Sequence, residues 1–126
     1  MRANFAKMQG CGNDFVVFDE RPGRFGFTPA RIAALANRRT GIGCDQFISI
    51  APVTEGRADA FMRIHNPDGS EAGACGNATR CVAAFLAAES GRRSLVIRTF
   101  AGDLPAEMLA SGRVQVDMGP PRLGWR

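Results

Sequence analysis

The chain has 126 residues and a net charge of +4, and its 16 Lys and Arg residues are dispersed along the sequence. That length indicates one domain with a real core, and the absence of a basic stripe disfavours nucleic acid as a partner. No apolar run is long enough to span a bilayer and no signal peptide is recognisable, so we expect no membrane partner and a cytoplasmic location.

The cysteines argue against both a disulfide framework and a metal centre. The chain has four cysteines and one histidine, and none of the cysteines forms a Cys-x-x-Cys pair. Zinc sites normally show such ligand spacing, and disulfide frameworks belong to secreted chains. We therefore expect no bound metal.

Seven strands and two helices are predicted in chain order. The first helix should begin at Thr28-Pro29, a threonine cap followed by proline at the first helical position, and stop at Gly41. A second helix, at residues 78–89, is apolar on nearly every side and should be buried. The predicted strands cover residues 4–8, 15–18, 46–50, 60–65, 94–100, 104–110 and 113–118. Pro105 should weaken its strand or mark a sheet edge.

Hairpins late in the chain, rather than regular βαβ alternation, indicate an α+β fold. We expect a largely antiparallel sheet or barrel wrapped around the central buried helix at residues 78–89.

The stretch from Asn66 to Cys81 joins a tight turn to the start of that buried helix. Asn77 is a good N-cap residue and Gly91 a good stop signal, so Cys75 should precede a helix N-terminus. The positive end of the helix dipole lowers the pKa of a nearby thiol or holds a carboxylate. The alternative is that Cys75 is a small apolar residue in a loop.

Carboxamide side chains recur in the glycine-containing loops, and each can both donate and accept hydrogen bonds. This suits recognition of an amino acid, with its carboxylate and ammonium groups. The loop at residues 10–15 lacks the third glycine of a dinucleotide fingerprint, and the single histidine, His65, lies on a predicted strand and is expected to be structural. The carboxamides concerned are Asn13, Gln46, Asn66 and Asn77.

Three motifs, at residues 7–15, 41–46 and 66–81, resemble the first half of the diaminopimelate epimerase family in order and spacing. The resemblance implies a cofactor-independent isomerase that interconverts LL- and meso-diaminopimelate in lysine and peptidoglycan precursor biosynthesis. In that family two cysteines face opposite sides of the substrate α-carbon, one removing a proton and the other delivering one. Gln9, Cys11 and Ala78-Thr79 depart from the usual family residues but leave the matched polar positions intact.

Carried over residue by residue, the resemblance implies one catalytic and five substrate-binding positions. Cys75 matches the catalytic cysteine of the first half. Asn13, Gln46 and Asn66 match substrate-binding side chains, and Gly76 and Asn77 match the backbone cradle for the α-carboxylate. The other cysteines, Cys11, Cys44 and Cys81, match no catalytic position.

The resemblance also implies a domain division and a missing part. Residues 1–118 correspond to the N-terminal epimerase domain, and residues 119–126 to the start of the segment that crosses to a C-terminal domain holding the second cysteine. We therefore expect the chain alone to be inactive; its partners are the small molecule diaminopimelate and the C-terminal half, and a homodimer is left open. Two alternatives remain: a non-catalytic amino-acid-binding or scaffold domain, and a proline-racemase-like enzyme.

Overall fold

A computed structural model describes residues 5–10, 12–23, 26–73, 76–100 and 102–117 of the chain. Within these ranges it contains eight strands and two helices. The strands are β1 (Phe5–Gly10), β2 (Asn13–Asp19), β3 (Gln46–Ala51), β4 (Ala60–His65), β5 (Glu71–Ala72), β6 (Ser94–Thr99), β7 (Gly102–Met108) and β8 (Val114–Val116), and the helices are α1 (Pro29–Ala36) and α2 (Gly76–Ser90). All seven predicted strands are present, and only the two-residue β5 was not predicted.

The strands form one mixed sheet in the order β1-β2-β3-β4-β6-β7-β8, with β5 paired to β4. Two neighbouring pairs are parallel, β2 with β3 and β4 with β6, and the other pairs are antiparallel. Helix α2 contacts β1 and β8, the two ends of this order, as well as strands between them. The predicted α+β fold, a largely antiparallel sheet curled around a buried helix, is therefore confirmed.

The sheet has an apolar layer on each face, and β2 shows how both are supplied. Phe15 and Val17 belong to the core that includes α2, whereas Val16 and Phe18 belong to a second core that includes Ile32 of α1. All four β2 residues are at most 3% exposed. Successive side chains of a strand point to opposite faces, so a continuous apolar run is what a strand between two helices requires.

Helix α1 begins as the sequence predicts, because Thr28 Oγ1 accepts a hydrogen bond from the Arg31 N–H at 3.2 Å and Pro29 is the first helical residue. It ends earlier than predicted, at Ala36 rather than next to Gly41. The Gly41 N–H instead donates to the Asn37 carbonyl at 2.9 Å, because the chain turns there to enter the loop that leads to β3.

Helix α2 starts earlier than predicted, at Gly76. Asn77 is therefore a residue of the first turn, and its assignment as N-cap is wrong. The stop at Gly91 is confirmed: this glycine has φ of +73°, and its N–H donates to the Ala87 carbonyl at 2.8 Å. Among the described residues, no helix is long and apolar enough to cross a membrane.

Pro105 does not mark an edge, since β7 lies between β6 and β8. Opposite it in the register, Val96 has both its N–H and its carbonyl bonded to Asp59, at 2.7 and 2.8 Å. The Pro105 carbonyl accepts from the Asp117 N–H at 2.9 Å on the β8 side. Proline therefore removes no bond between β6 and β7, and its missing N–H faces the short strand β8 instead.

Candidate functional site

Three of the predicted site residues lie at one end of three neighbouring strands. Asn13 is the first residue of β2 and Gln46 the first residue of β3, and in the parallel register Gln46 pairs with Phe15. Asn66 follows the last residue of β4, and the antiparallel register, which pairs Phe47 with His65, brings it level with Gln46. The sheet thus gathers residues that are more than fifty positions apart in sequence.

The three carboxamides also belong to the same face of the sheet. Phe15 of β2, Ile48 of β3 and Ile64 of β4 all belong to the core that contains α2. Since side chains alternate along a strand, Asn13 and Gln46, each two residues away, share that face. Continuing the alternation by one residue past β4 places Asn66 there as well.

Gln46 carries an unusual feature for a folded protein. Its Oε1 atom is buried and has no hydrogen-bond partner among the described residues. A buried acceptor without a partner costs about 1–3 kcal/mol, and such atoms in native proteins call for an explanation. A ligand donor, such as an ammonium group, would satisfy this oxygen.

Asn66 begins a closed turn that joins β4 to β5. Its N–H donates to the Ser70 carbonyl at 2.8 Å, its Nδ2 donates to Ser70 Oγ at 3.1 Å, and its carbonyl accepts from the Gly69 N–H at 2.9 Å. Gly69 has φ of +90°, and a Cβ added there would lie 2.2 Å from the Pro29 carbonyl oxygen. The turn is therefore packed against α1, and it holds the Asn66 backbone in place.

The N-terminus of α2 approaches the same end of the sheet. The Cys81 thiol lies 3.8 Å from the Gln9 carbonyl, and Gln9 pairs with Asp14, next to Asn13. Gly76 and Asn77 are the first two residues of α2, so their N–H groups are among those that a helix leaves unbonded internally. Asn77 Oδ1 accepts a hydrogen bond from Arg80, which places a guanidinium group in the first turn.

The predicted catalytic residue, Cys75, lies outside the described residues, as does Cys11. Cys44 and Cys81 are both buried, and burial raises the pKa of Cys44 above its usual value. A raised pKa disfavours the reactive thiolate, which agrees with a structural role for Cys44. In the described part of the chain, no three His, Cys, Asp or Glu residues are placed to hold a metal ion.

A cavity of about 730 Å³ lies on the face of the sheet that carries α1 and contains none of the predicted site residues. It is lined by Ile32, Ser49 and His65 among others. His65 is buried with its ring edge-to-face to Phe47, at 6.4 Å between centroids, and burial lowers its pKa. Its packing agrees with the structural role expected for it.

The family model for diaminopimelate epimerase matches residues 5–124 of the chain. The chain belongs to the diaminopimelate epimerase family. It is 59% identical over 121 residues to the diaminopimelate epimerase of Acidiphilium cryptum, covering 96% of this chain and 43% of that protein. It is 53% identical over 125 residues to that of Rhodospirillum centenum, covering 99% of this chain and 43% of that protein. The chain thus spans less than half the length of these epimerases.

Solved structures agree with the fold assignment. A methylitaconate-delta-isomerase has a TM-score of 0.68 at 19% identity, covering 98% of this chain and 66% of that one. A hydroxyproline epimerase from Agrobacterium vitis, solved with bound trans-4-hydroxy-L-proline, also has a TM-score of 0.68, at 17% identity, covering 94% of this chain and 42% of that one. At identities of 19% and 17%, the similarity of these two structures to this chain shows a shared fold and nothing further.

The charged residues next to the candidate site were not predicted from the sequence. Arg38 lies between Asp14 and Asp45, and Arg80 bonds to Asn77. A signal for the acidic pair was present, because Asp14 directly follows Asn13 and Asp45 directly precedes Gln46. For Arg38 the sequence offers no such signal, since its contacts depend on how α1 packs.

Proposed function

We propose that the chain is the N-terminal half of a cofactor-independent diaminopimelate epimerase. The reaction interconverts the LL and meso forms of diaminopimelate by moving a proton at one α-carbon. Family membership is the basis for the reaction type. Because the chain spans 43% of the length of its relatives, the activity belongs to the longer protein.

The observation that carries the proposal is the placement of Asn13, Gln46 and Asn66 at one strand end and on one face, next to the start of α2. Diaminopimelate carries two ammonium and two carboxylate groups, and carboxamides can bond to both kinds. The buried Gln46 Oε1 has no partner among the described residues, which supports a role as acceptor for a substrate N–H.

The start of α2 supports the roles proposed for Gly76 and Asn77. Free N–H groups at a helix N-terminus bind anions, so these two residues are suited to the α-carboxylate. As the α-proton leaves, negative charge spreads onto that carboxylate, and donors held in advance lower the barrier most when they face developing charge. Arg80, in the same helical turn, adds positive charge nearby.

Cys75 is proposed as the acid/base group of this half. As thiolate it would accept the α-proton, and a second thiol would give a proton to the carbanion from the opposite face. The helix dipole would favour the thiolate. We propose that the second thiol belongs to a C-terminal domain, with residues 1–118 forming the N-terminal domain and residues 119–126 starting the crossing segment.

The proposal includes a cytoplasmic location on the route to lysine and peptidoglycan precursors. Whether the full-length protein forms a homodimer can be tested by sedimentation. The alternative of a non-catalytic amino-acid-binding domain predicts binding of diaminopimelate without exchange of its α-proton.

The deciding experiment follows incorporation of solvent deuterium at the α-carbon of diaminopimelate. A full-length protein containing this chain should exchange the proton and epimerise the substrate, and the 126-residue chain alone should do neither. Cys75→Ala in the full-length protein should abolish both while its circular dichroism spectrum stays unchanged. Cys44→Ala is the matched control and should retain exchange. Turnover by Cys75→Ala at the wild-type rate would refute the assignment.

A further inference from the structure

A cluster of four charged side chains lies directly behind the carboxamides, on the opposite face of the same strand ends. Arg38 donates to Asp14 through both terminal nitrogens, at 2.8 and 3.1 Å, and to Asp45 at 2.9 Å. Lys7 of β1 lies 3.2 Å from Asp14 and also donates to the Gly43 carbonyl. The Arg38 contact is the main cause that holds the pKa of Asp14 well below its usual value.

The two carboxylates also bond to each other's backbone. The Asp14 N–H donates to Asp45 Oδ2 at 2.9 Å, and the Asp45 N–H donates to Asp14 Oδ1 at 2.7 Å and to the Asp14 carbonyl at 3.0 Å. These bonds lie where the parallel ladder of β2 and β3 begins, next to the pair of Phe15 and Gln46. They add contacts between the two strand ends beyond those of the ladder itself.

Asp14 and Asp45 each adjoin a proposed substrate-binding residue in the chain, Asn13 and Gln46 respectively. Because neighbouring side chains of a strand point to opposite faces, the carboxylates face α1 while the carboxamides face α2. The acidic pair therefore cannot reach a substrate held by Asn13 and Gln46. Any effect on the reaction must pass through the backbone positions.

The cluster combines one largely buried carboxylate with more exposed partners. The Asp14 side chain is 16% exposed, whereas those of Arg38 and Asp45 are 56% and 44% exposed. The pair of Arg38 with Asp45 therefore contributes little to stability. Yet the chain accommodates Arg38 closely, because Gly43 has φ of +82° and a Cβ there would lie 3.0 Å from the Arg38 Cα and Cγ. Arg38 is therefore held in one position between the two carboxylates, and most of the contacts in the cluster converge on Asp14.

We propose that Asp14 is a positioning residue, which together with Asp45 and Arg38 fixes the ends of β2 and β3 and thereby the placement of Asn13 and Gln46. This inference rests on the proposed function, because it assumes that both carboxamides bind substrate. Active sites tolerate little displacement, and a shift of about 1 Å can cost about a hundredfold in rate. A surface cluster can in this way control a reaction that it does not contact.

The test is a mutant cycle in the full-length protein, read by kcat/KM for diaminopimelate. Asp14→Ala removes the carboxylate, and Asp14→Asn keeps one acceptor oxygen and should give a smaller loss. Both are made in the wild type and in a background carrying Asn13→Ala and Gln46→Ala. The matched control is Asp103→Ala, which removes another carboxylate that accepts from two nitrogens of one arginine, Arg98, at 2.8 and 3.2 Å between β6 and β7.

We expect Asp14→Ala to lower kcat/KM by about tenfold or more in the wild type, and by less than about twofold when both carboxamides are absent, since coupled residues are not additive. Asp103→Ala should change neither. Amide hydrogen exchange at Asp45 should accelerate in Asp14→Ala and not in Asp103→Ala, a readout that does not depend on turnover.

Equal losses in both backgrounds, or exchange at Asp45 unchanged by Asp14→Ala, would overturn the positioning role. Those results with an active wild type would leave the proposed function standing. A folded wild-type protein that neither binds nor epimerises diaminopimelate would instead refute the proposed function and the inference with it.

Discussion

Gln46 should lower the stability of the ligand-free protein while contributing to activity, and both effects can be measured. We predict that Gln46→Met makes the ligand-free protein more stable and the enzyme less active. Gln46 Oε1 is buried without a partner among the described residues, and a buried acceptor that stays unpaired costs about 1–3 kcal/mol. Methionine has similar length and flexibility and no such acceptor.

An apolar side chain at this position avoids part of that cost, which sets the expected gain in the free energy of unfolding. Allowing for imperfect packing of the methionine, we expect the free energy of unfolding to rise by about 1 kcal/mol, which for a chain of this size raises the Tm by about 4 °C. In the enzyme, loss of a hydrogen bond to a charged group costs about 1.5–3 kcal/mol. Each 1.4 kcal/mol is about tenfold, so kcat/KM should fall by about ten- to a hundredfold.

The stability change is measured by thermal unfolding of this chain without ligand. The activity change is measured by steady-state kinetics of the full-length protein. Gln115→Met is the matched control, because Gln115 is exposed on β8 and such substitutions usually stay within about 0.5 kcal/mol. The opposite signs of the two effects are the signature of a side chain kept for its ligand. A Gln46→Met variant that is destabilised, or that is as active as the wild type, would refute the reasoning.

Three further predictions concern the scaffold, each with unfolding as the assay. Gly69→Ala should lower the free energy of unfolding more than Gly112→Ala, although both glycines have positive φ. The reason is that, of the two, only at Gly69 would the new Cβ clash with backbone. Equal losses of stability would contradict this. Leu86→Ala, in the core of α2, should cost about 2–5 kcal/mol, and a loss below 1 kcal/mol would show that the core collapses around the vacancy. Because the Arg38 contact holds the pKa of Asp14 below its ordinary value of 3.8, the ionised carboxylate stabilises the fold at pH values above 3.8. This stabilisation is lost as the pH falls below 3.8, so the wild type should lose more stability on acidification than Asp14→Asn.

The fold could be predicted to a large extent because its strands are strongly patterned. The apolar run from Phe15 to Phe18 indicates a strand buried on both faces, and the structure places a core on each side of it. Strand β5 could not be predicted, because a two-residue strand forms only where β4 offers an edge. The start of α2 was missed because packing of the helix, rather than the capping preference of Asn77, decides where it begins.

The candidate site could be predicted only as a set of residues and not as an arrangement. The carboxamides Asn13, Gln46 and Asn66 were identified from loop composition and from the resemblance to the family, and their roles remain proposals. Their common end and face follow from register, which depends on long-range pairing. The contacts of Arg38 with Asp14 and Asp45 arise from the packing of the loop after α1, which no local pattern encodes.

The contacts of α2 have a consequence for how the chain folds. This helix packs against β1 and β8, the first and last strands of the described chain, and the contact between Cys81 and Gln9 spans 72 positions. Long-range contacts require loop closure before they stabilise anything, and they slow folding. The end of α2 that adjoins the site should therefore settle only after the sheet has closed around it, and the site should be among the last features to form during folding.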